Sequence, residues 1–422
     1  MVKSSSYDRW WKLSLLLFVV TLAIFSIRNV LVYPAELGYD ASGHLGHLIY
    51  LAENGKAPPN TLYSASNPPL YYWIGAGIWK VTQSRKALQV FSLLLYFLGC
   101  WLFFDLLRGN QVARLPRLAL TAYYAYLPLS LNYPYMIFNY VLLNFLAVAA
   151  FHALSRFCKL RTLGYQNALI LALLATLAVL TALSGLALWA LCFFFLALSS
   201  DLKRAARVRL LAVYCSASLV VLTPYLAYRK MSFGCVLCSL HRGEERSGVR
   251  AFVPMAPRKY VHFDFRVFDR PVYSPEVGYL DGVSSFLYAT WFGDYWGYLS
   301  TQGETQVSQW KADQLFGRRL LMWMGIPITF ATLYLFYRRR KVASLREALP
   351  LVGIALFFAQ FFAYIHIYRS EVTWHSGYLW PCVPLVGWIA GDFLTRSSTQ
   401  ARSVVCGYLL VFSAASAVVF WL

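Results

Sequence analysis

Apolar runs of membrane length recur along this 422-residue chain, near 13–32, 88–107, 117–132, 136–155, 165–182, 184–199, 208–228, 319–337, 348–368, 378–395 and 402–422. About 20 apolar residues in a helix cross the hydrocarbon core of a bilayer. Lipid offers no partner to a backbone N–H or C=O, so a run of this kind spans as a helix that satisfies its own backbone. The predicted fold class is therefore all-α and polytopic, with about 11 transmembrane helices. Composition fits burial in lipid: 59% of residues are hydrophobic and only 13% are charged. A soluble chain carries about a quarter charged residues.

The net charge of +20 would mark a soluble protein as a nucleic-acid binder, but here the basic residues sit in short loops between apolar runs. With the N-terminus cytoplasmic, the inner segments are 1–12, 108–117, 156–161, 201–209, 338–346 and 396–402. They hold 20 Lys/Arg, and only 5 of the 18 acids lie in or beside them. That bias follows the positive-inside rule and predicts the orientation. The basic N-terminus and first run lack a following small-residue cleavage site, so they read as a retained helix. The expected organisation is an N-terminal membrane module over 1–228, an outer segment over 229–318 that acts as a lid or shapes an acceptor site, and C-terminal helices over 319–422. The outer side also collects six of the seven histidines (44, 47, 241, 262, 366 and 375). There is no P-loop, GxSxG or HExxH motif. Of the eight cysteines, only Cys235 and Cys238 share a loop, and a lone Cys-x-x-Cys reads as an incidental or structural disulfide pair.

The first outer loop, 33–87, carries the densest chemistry. Asp40, His44 and His47 fall at i, i+4 and i+7, the spacing that puts three side chains on one face of a helix. A carboxylate with two imidazoles can hold a divalent metal or run acid–base chemistry. The plainer readings are a solvated amphipathic helix and, for Asp40, an N-cap. Gly55 is expected to end this helix, and Pro58-Pro59 to forbid its continuation. Pro68-Pro69 opens the next element, where Leu70-Tyr71-Tyr72-Trp73 supplies an aromatic interfacial anchor.

The sequence Gly38-Tyr39-Asp40-x3-His44, the stretch Tyr50-Leu51-Ala52-x-Asn54-Gly55-x-x-Pro58 and the run Asn67-Pro68-Pro69-Leu70-Tyr71-Tyr72 together resemble GT-C glycosyltransferases. The likeness is to the protein O-mannosyltransferase and lipid A aminoarabinose transferase group. It covers about forty residues, and the hydropathy pattern extends it less specifically over the rest. The resemblance implies a GT-C fold, and transfer of a sugar from a polyprenyl-phosphate carrier to a lipid, glycan or protein acceptor on the outer face. It assigns Asp40 as the essential acid and His44 as a catalytic or metal-side partner. A divalent ion (Mg or Mn) held by Asp40 and His44 is the implied cofactor. Two departures stand out. Many relatives have a Glu where this chain has Ala41, and a second acid where it has Asn132-Tyr133-Pro134-Tyr135 and then Asn139-Tyr140.

Transfer also requires positive charge at the leaving phosphate. Arg318 and Arg319 open the eighth run, and Arg369 and His375 lie between the ninth and tenth. Arg318, Arg369 and His375 are the phosphate candidates; simple snorkelling to the interface is the plainer reading of each Arg. His47, Asn67 and Tyr71 are further substrate-binding candidates. So is Asp294, within Trp291-Phe292-Gly293-Asp294-Tyr295-Trp296, a sequence equally suited to stacking on a sugar or to anchoring a re-entrant helix. The expected protein is an integral enzyme of a bacterial inner membrane, or of the topologically equivalent endoplasmic reticulum. A flippase of lipid-linked sugars predicts mid-span charges, which are few. A non-catalytic subunit on the same frame draws support from the missing second acid.

Overall fold

The computed structural model describes residues 4–38, 40–59, 64, 67–160, 163–199, 203–233, 256–273, 280–295, 312–339, 344–368 and 376–421. The elements are helical: α1 (Ser4–Val32), α2 (Ala41–Asn54), α3 (Leu70–Thr82), α4 (Arg85–Gly109), α5 (Arg114–Tyr126), α6 (Pro128–Asn132), α7 (Tyr140–Phe157), α8 (Tyr165–Val179), α9 (Gly185–Leu198), α10 (Arg204–Phe233), the short α11 (Arg258–Val261) and α12 (Arg266–Asp269), α13 (Val283–Phe292), α14 (Ala312–Arg338), α15 (Leu345–Tyr368), a 3-10 turn at Ser376–Leu379, α16 (Cys382–Arg396) and α17 (Thr399–Val419).

Among the described residues, seven helices are long and apolar enough to cross a membrane: α1, α4, α7, α10, α14, α15 and α17. Two shorter apolar helices, α8 and α9, pack against each other. The chain is a multi-pass integral membrane protein. Its outward-facing side chains agree, since α1 leaves Leu16, Leu17, Ile24, Ile27 and Leu31 exposed, a surface that only lipid makes favourable.

Every apolar run meets a helix, and the differences have local causes. The run 117–132 is split into α5 and α6 because Leu127 precedes Pro128 and is extended, at φ −60° and ψ 131°; the proline ring disfavours the helical region for the residue before it. The α8–α9 pair turns tightly, as expected, at Leu183-Ser184-Gly185. A Cβ on Gly185 would lie 2.2 Å from the Ala178 backbone, so no larger residue fits that approach.

The two ends of the bundle differ in chemistry. At the end carrying the short basic loops, Asp105 receives Arg108 at 2.6 Å, His152 at 2.8 Å and Arg156 at 3.6 Å. At the other end the interhelical segments are long, and there the tail of α1, helices α2 and α3, the 133–139 stretch, α13 and the Ser376–Leu379 turn come together.

Candidate active site

The first outer loop is gripped where it leaves the membrane helices. Lys86, at the start of α4, donates to the carbonyls of Val30 and Tyr33, both at 2.7 Å. Those carbonyls belong to the end of α1, where no intrahelical donor remains. Gln89, one turn further, donates to Tyr33 O at 3.2 Å and to Tyr135 O at 2.6 Å, tying the loop to the stretch after α6. The chain then turns at Gly38, whose φ is +119°; a Cβ there would meet Met136 Sδ at 2.5 Å. Only glycine suits both the dihedral and the contact.

Asp40 lies two residues further on, with φ 54° and ψ 17°. It occupies the N-cap position of α2 but makes no side-chain capping bond. An N-cap residue is normally extended, with its side chain turned back onto the helix amides. Here the left-handed backbone, which costs a non-glycine residue about 1 kcal/mol, turns the carboxylate elsewhere. Asp40 is exposed, and it interacts electrostatically with the hydroxyls of Tyr72 and Tyr378. Asp40 thus combines an exposed side chain with a left-handed backbone.

The two histidines do not share an exposed face with Asp40. His44 and His47 are 3% and 4% exposed and point into the packing of α2 against α3. The His47 ring stacks on Tyr72, with centroids 3.8 Å apart and planes at 11°. His47 Nδ1 lies 3.1 Å from Ser64 O; a carbonyl only accepts, so this nitrogen carries the proton. His44 Nδ1 meets the Tyr72 hydroxyl at 2.6 Å, and that hydroxyl also accepts from Asn67 Nδ2 at 2.8 Å. Ser64 Oγ closes the cluster by donating to Gly43 O at 2.9 Å.

Burial sets the charge state of this cluster. Desolvation, with His47 as neighbour, lowers the His44 pKa to about 3, and desolvation lowers that of His47 to about 4. Both are neutral at physiological pH, so neither supplies positive charge for a phosphate. Burial also pushes the Tyr71 phenol up to about 12 and raises that of Tyr72. Tyr71, a substrate-binding expectation, is 1% exposed within the core. Asn67 is committed to Tyr72.

Against known proteins, neither family models nor curated sequences match this chain. Solved structures do. Crystal structures of ArnT from Cupriavidus metallidurans superpose on it in two states. The one bound to undecaprenyl phosphate has a TM-score of 0.53 at 15% identity, covering 93% of this chain and 62% of ArnT. The apo form gives 0.54 at 16% identity, covering 95% and 62%. This chain has the ArnT fold. The GT-C architecture implied by forty residues of loop thus extends over nearly all of it. The chain spans only 62% of ArnT's length, and at such identity the likeness is one of fold.

Among the described residues no group of three or more His, Cys, Asp or Glu is placed to hold a metal ion. Asp40 and His44 are the residues that would hold one, His44 through Nε2, since its Nδ1 meets the Tyr72 hydroxyl.

Asn139, standing where relatives in the resembling group carry an acid, is 3% exposed and caps nothing. Its Nδ2 donates to Thr181 O at 2.9 Å at the α8–α9 turn, while its Oδ1 has no hydrogen-bond partner among the described residues. The neighbouring Phe138 packs on His44, and Tyr140 packs on Tyr378.

Asp294 and Arg318, expected to bind sugar and phosphate separately, are instead paired with each other. Their side chains are 0% and 5% exposed, with Arg318 Nη1 3.4 Å from Asp294 Oδ2 and the guanidinium over the Phe420 ring at 5.0 Å. Burial follows from Gly293, where a Cβ would strike Met322 Cε at 2.4 Å, so α13 sits tight on α14. Trp291 and Phe292 form the end of α13. Arg369 and His375, and the pair Cys235 and Cys238, lie outside the described residues. The residues missed from sequence are Tyr72, Ser64 and Met136. Tyr72 lay in view within Asn67-Pro68-Pro69-Leu70-Tyr71-Tyr72, where it read only as an interfacial anchor.

Proposed function

We propose that this protein is a GT-C membrane glycosyltransferase that moves a sugar from a polyprenyl-phosphate carrier to a lipid, glycan or protein acceptor at the face of the bundle bearing the long loops. The observation that carries this reading is Asp40: exposed, held in a left-handed backbone and unused as a cap, in a chain of ArnT-like fold. One such ArnT structure holds undecaprenyl phosphate, the lipid class the reading requires.

In this mechanism the Asp40 carboxylate takes the proton of an acceptor hydroxyl. The acceptor oxygen attacks the anomeric carbon, and the bond from that carbon to the phosphate oxygen breaks. The electron pair leaves with the lipid phosphate, and the configuration at carbon inverts. General-base assistance of this kind is worth about 10²–10⁴ in rate. Positive charge for the departing phosphate is assigned from the sequence to Arg369, because the buried histidines are neutral. A cytoplasmic N-terminus and a bacterial inner membrane are the proposed setting, supported by the basic residues of the short loops.

The test is transfer from a panel of radiolabelled polyprenyl-phosphate hexoses and pentoses to membrane acceptors by the purified, reconstituted chain. Wild type is expected to transfer from one donor, and Asp40→Asn to lose transfer at equal expression. Donor crossing the vesicle without transfer would make the chain a flippase. Full activity in Asp40→Asn would remove the base from this assignment.

A further inference from the structure

At the opposite end of the bundle from Asp40 lies a second site, which the transfer chemistry does not use. A polar cavity of about 350 Å³ opens between the α4–α5 turn, the end of α14, the start of α15 and the end of α16. Three guanidiniums border it. Arg339 is paired with Asp392 and lies 3.6 Å from Glu347; Arg396 reaches Asp392 at 3.1 Å; and Arg346 donates to Asn110 Oδ1 at 2.8 Å. Three arginines against two carboxylates leave the lining with one net positive charge. A phosphodiester carries one negative charge, and the planar guanidinium fork matches its two free oxygens.

An independent feature says what kind of molecule brings that phosphate. Phe330, Leu333, Tyr334 and Tyr337 stand at i, i+3, i+4 and i+7 on α14, and all four are exposed, at 68%, 56%, 50% and 58%. They form one apolar stripe that runs along the helix to the cavity rim at Arg339. Tyr334 packs edge-on against Phe393, next to Asp392 in the cavity wall, so stripe and cavity adjoin. A head-group cavity at the end of a bundle, continued by an apolar track along one helix, has the shape of a phospholipid. Basic pockets between transmembrane helices on the positively charged side are a general mode of anionic head-group binding.

We infer that this cavity binds the head group of an anionic phospholipid, its phosphodiester on Arg346 and Arg396 and its acyl chains along the Phe330–Tyr337 stripe. The cavity holds none of the groups assigned to sugar transfer. Its occupancy therefore ties the α14–α15–α16 corner together and adds to stability without entering the reaction.

The experiment uses the purified full chain in a neutral detergent. Thermal unfolding is followed with added phosphatidylglycerol, phosphatidylethanolamine, phosphatidylcholine or inorganic phosphate. Phosphatidylglycerol is expected to raise Tm by about 2–4 °C and the other three to leave it unchanged. Arg346→Gln should remove the lipid-dependent rise, read against the variant's own lipid-free Tm. Native mass spectrometry of the wild type supplies a readout that does not depend on the variant folding, with retained phosphatidylglycerol adducts expected in excess over phosphatidylcholine. An equal rise with the zwitterionic lipids or with inorganic phosphate, a full rise in Arg346→Gln, or no adduct preference would each overturn the inference.

Discussion

The ring of His47 lies flat on the ring of Tyr72, 3.8 Å away, while the hydroxyl of the same tyrosine takes up His44 and Asn67. One phenol thus joins both histidines of α2 to the start of α3. Tyr72→Phe keeps the stack and removes the hydroxyl. His44 Nδ1 then lies buried without its partner, and a destabilisation of about 1–3 kcal/mol is expected, read from thermal unfolding in detergent. A change below about 0.5 kcal/mol would show that the hydroxyl is dispensable.

The same burial makes stability depend on pH. Both histidines titrate below their ordinary value of 6.5 in the folded chain, at about 3 and about 4. The unfolded chain therefore binds more protons below pH 6.5, and stability rises with pH through that window. The contribution is complete above about pH 6.5 and is lost as pH falls toward the folded values. Each histidine adds a slope of about 1.4 kcal/mol per pH unit. His47→Phe preserves an aromatic stack on Tyr72 and should flatten the acid limb of a Tm-against-pH curve; an unchanged slope would contradict the burial of His47.

Asp40 separates backbone strain from chemistry. Asparagine tolerates the left-handed region nearly as well as aspartate does, so Asp40→Asn should fold with stability within about 0.5 kcal/mol of wild type. Asp40→Val should lose about 1–2 kcal/mol, because a branched Cβ suits that region poorly. Comparing the two by unfolding distinguishes lost carboxylate from lost fold in any activity assay.

The buried pair Asp294–Arg318 should behave asymmetrically. Removing either charge alone, as in Asp294→Asn or Arg318→Gln, takes from the other this buried partner and is expected to cost about 3–5 kcal/mol. The double variant Asp294→Leu with Arg318→Met should recover most of that loss. A double variant as unstable as the sum of the singles would mean that the two residues do not act as a pair.

Much of the frame was legible in the sequence. Gly55 ends α2 with φ 63° and its N–H on Leu51 O, and Pro69 stands just before α3, as expected from the chemistry of glycine and proline. The basic loops and the turn before Gly185 also read directly, because length, charge and ring geometry are local properties. The site was less legible. The spacing of Asp40, His44 and His47 located a helix face but not what covers it; only the return of α3 over α2 turns that face inward and neutralises both imidazoles. Asp294 and Arg318 are 24 residues apart in the sequence, and no periodicity announces such a pair. Gly38, two residues before Asp40, has its seat against Met136, a contact across nearly a hundred residues of chain.

That seat sets what can be exchanged between proteins of this fold. Gly38 presses on Met136, and Gln89 bonds the carbonyls of Tyr33 and Tyr135 at once, so the loop and the 133–139 stretch are two halves of one mould. A chimera that imports a foreign first loop alone inherits an aspartate cast for a different mould. The smallest transplantable cassette is the loop together with Gln89 and residues 133–140, and any library that varies acceptor or donor choice has to recombine them as a unit.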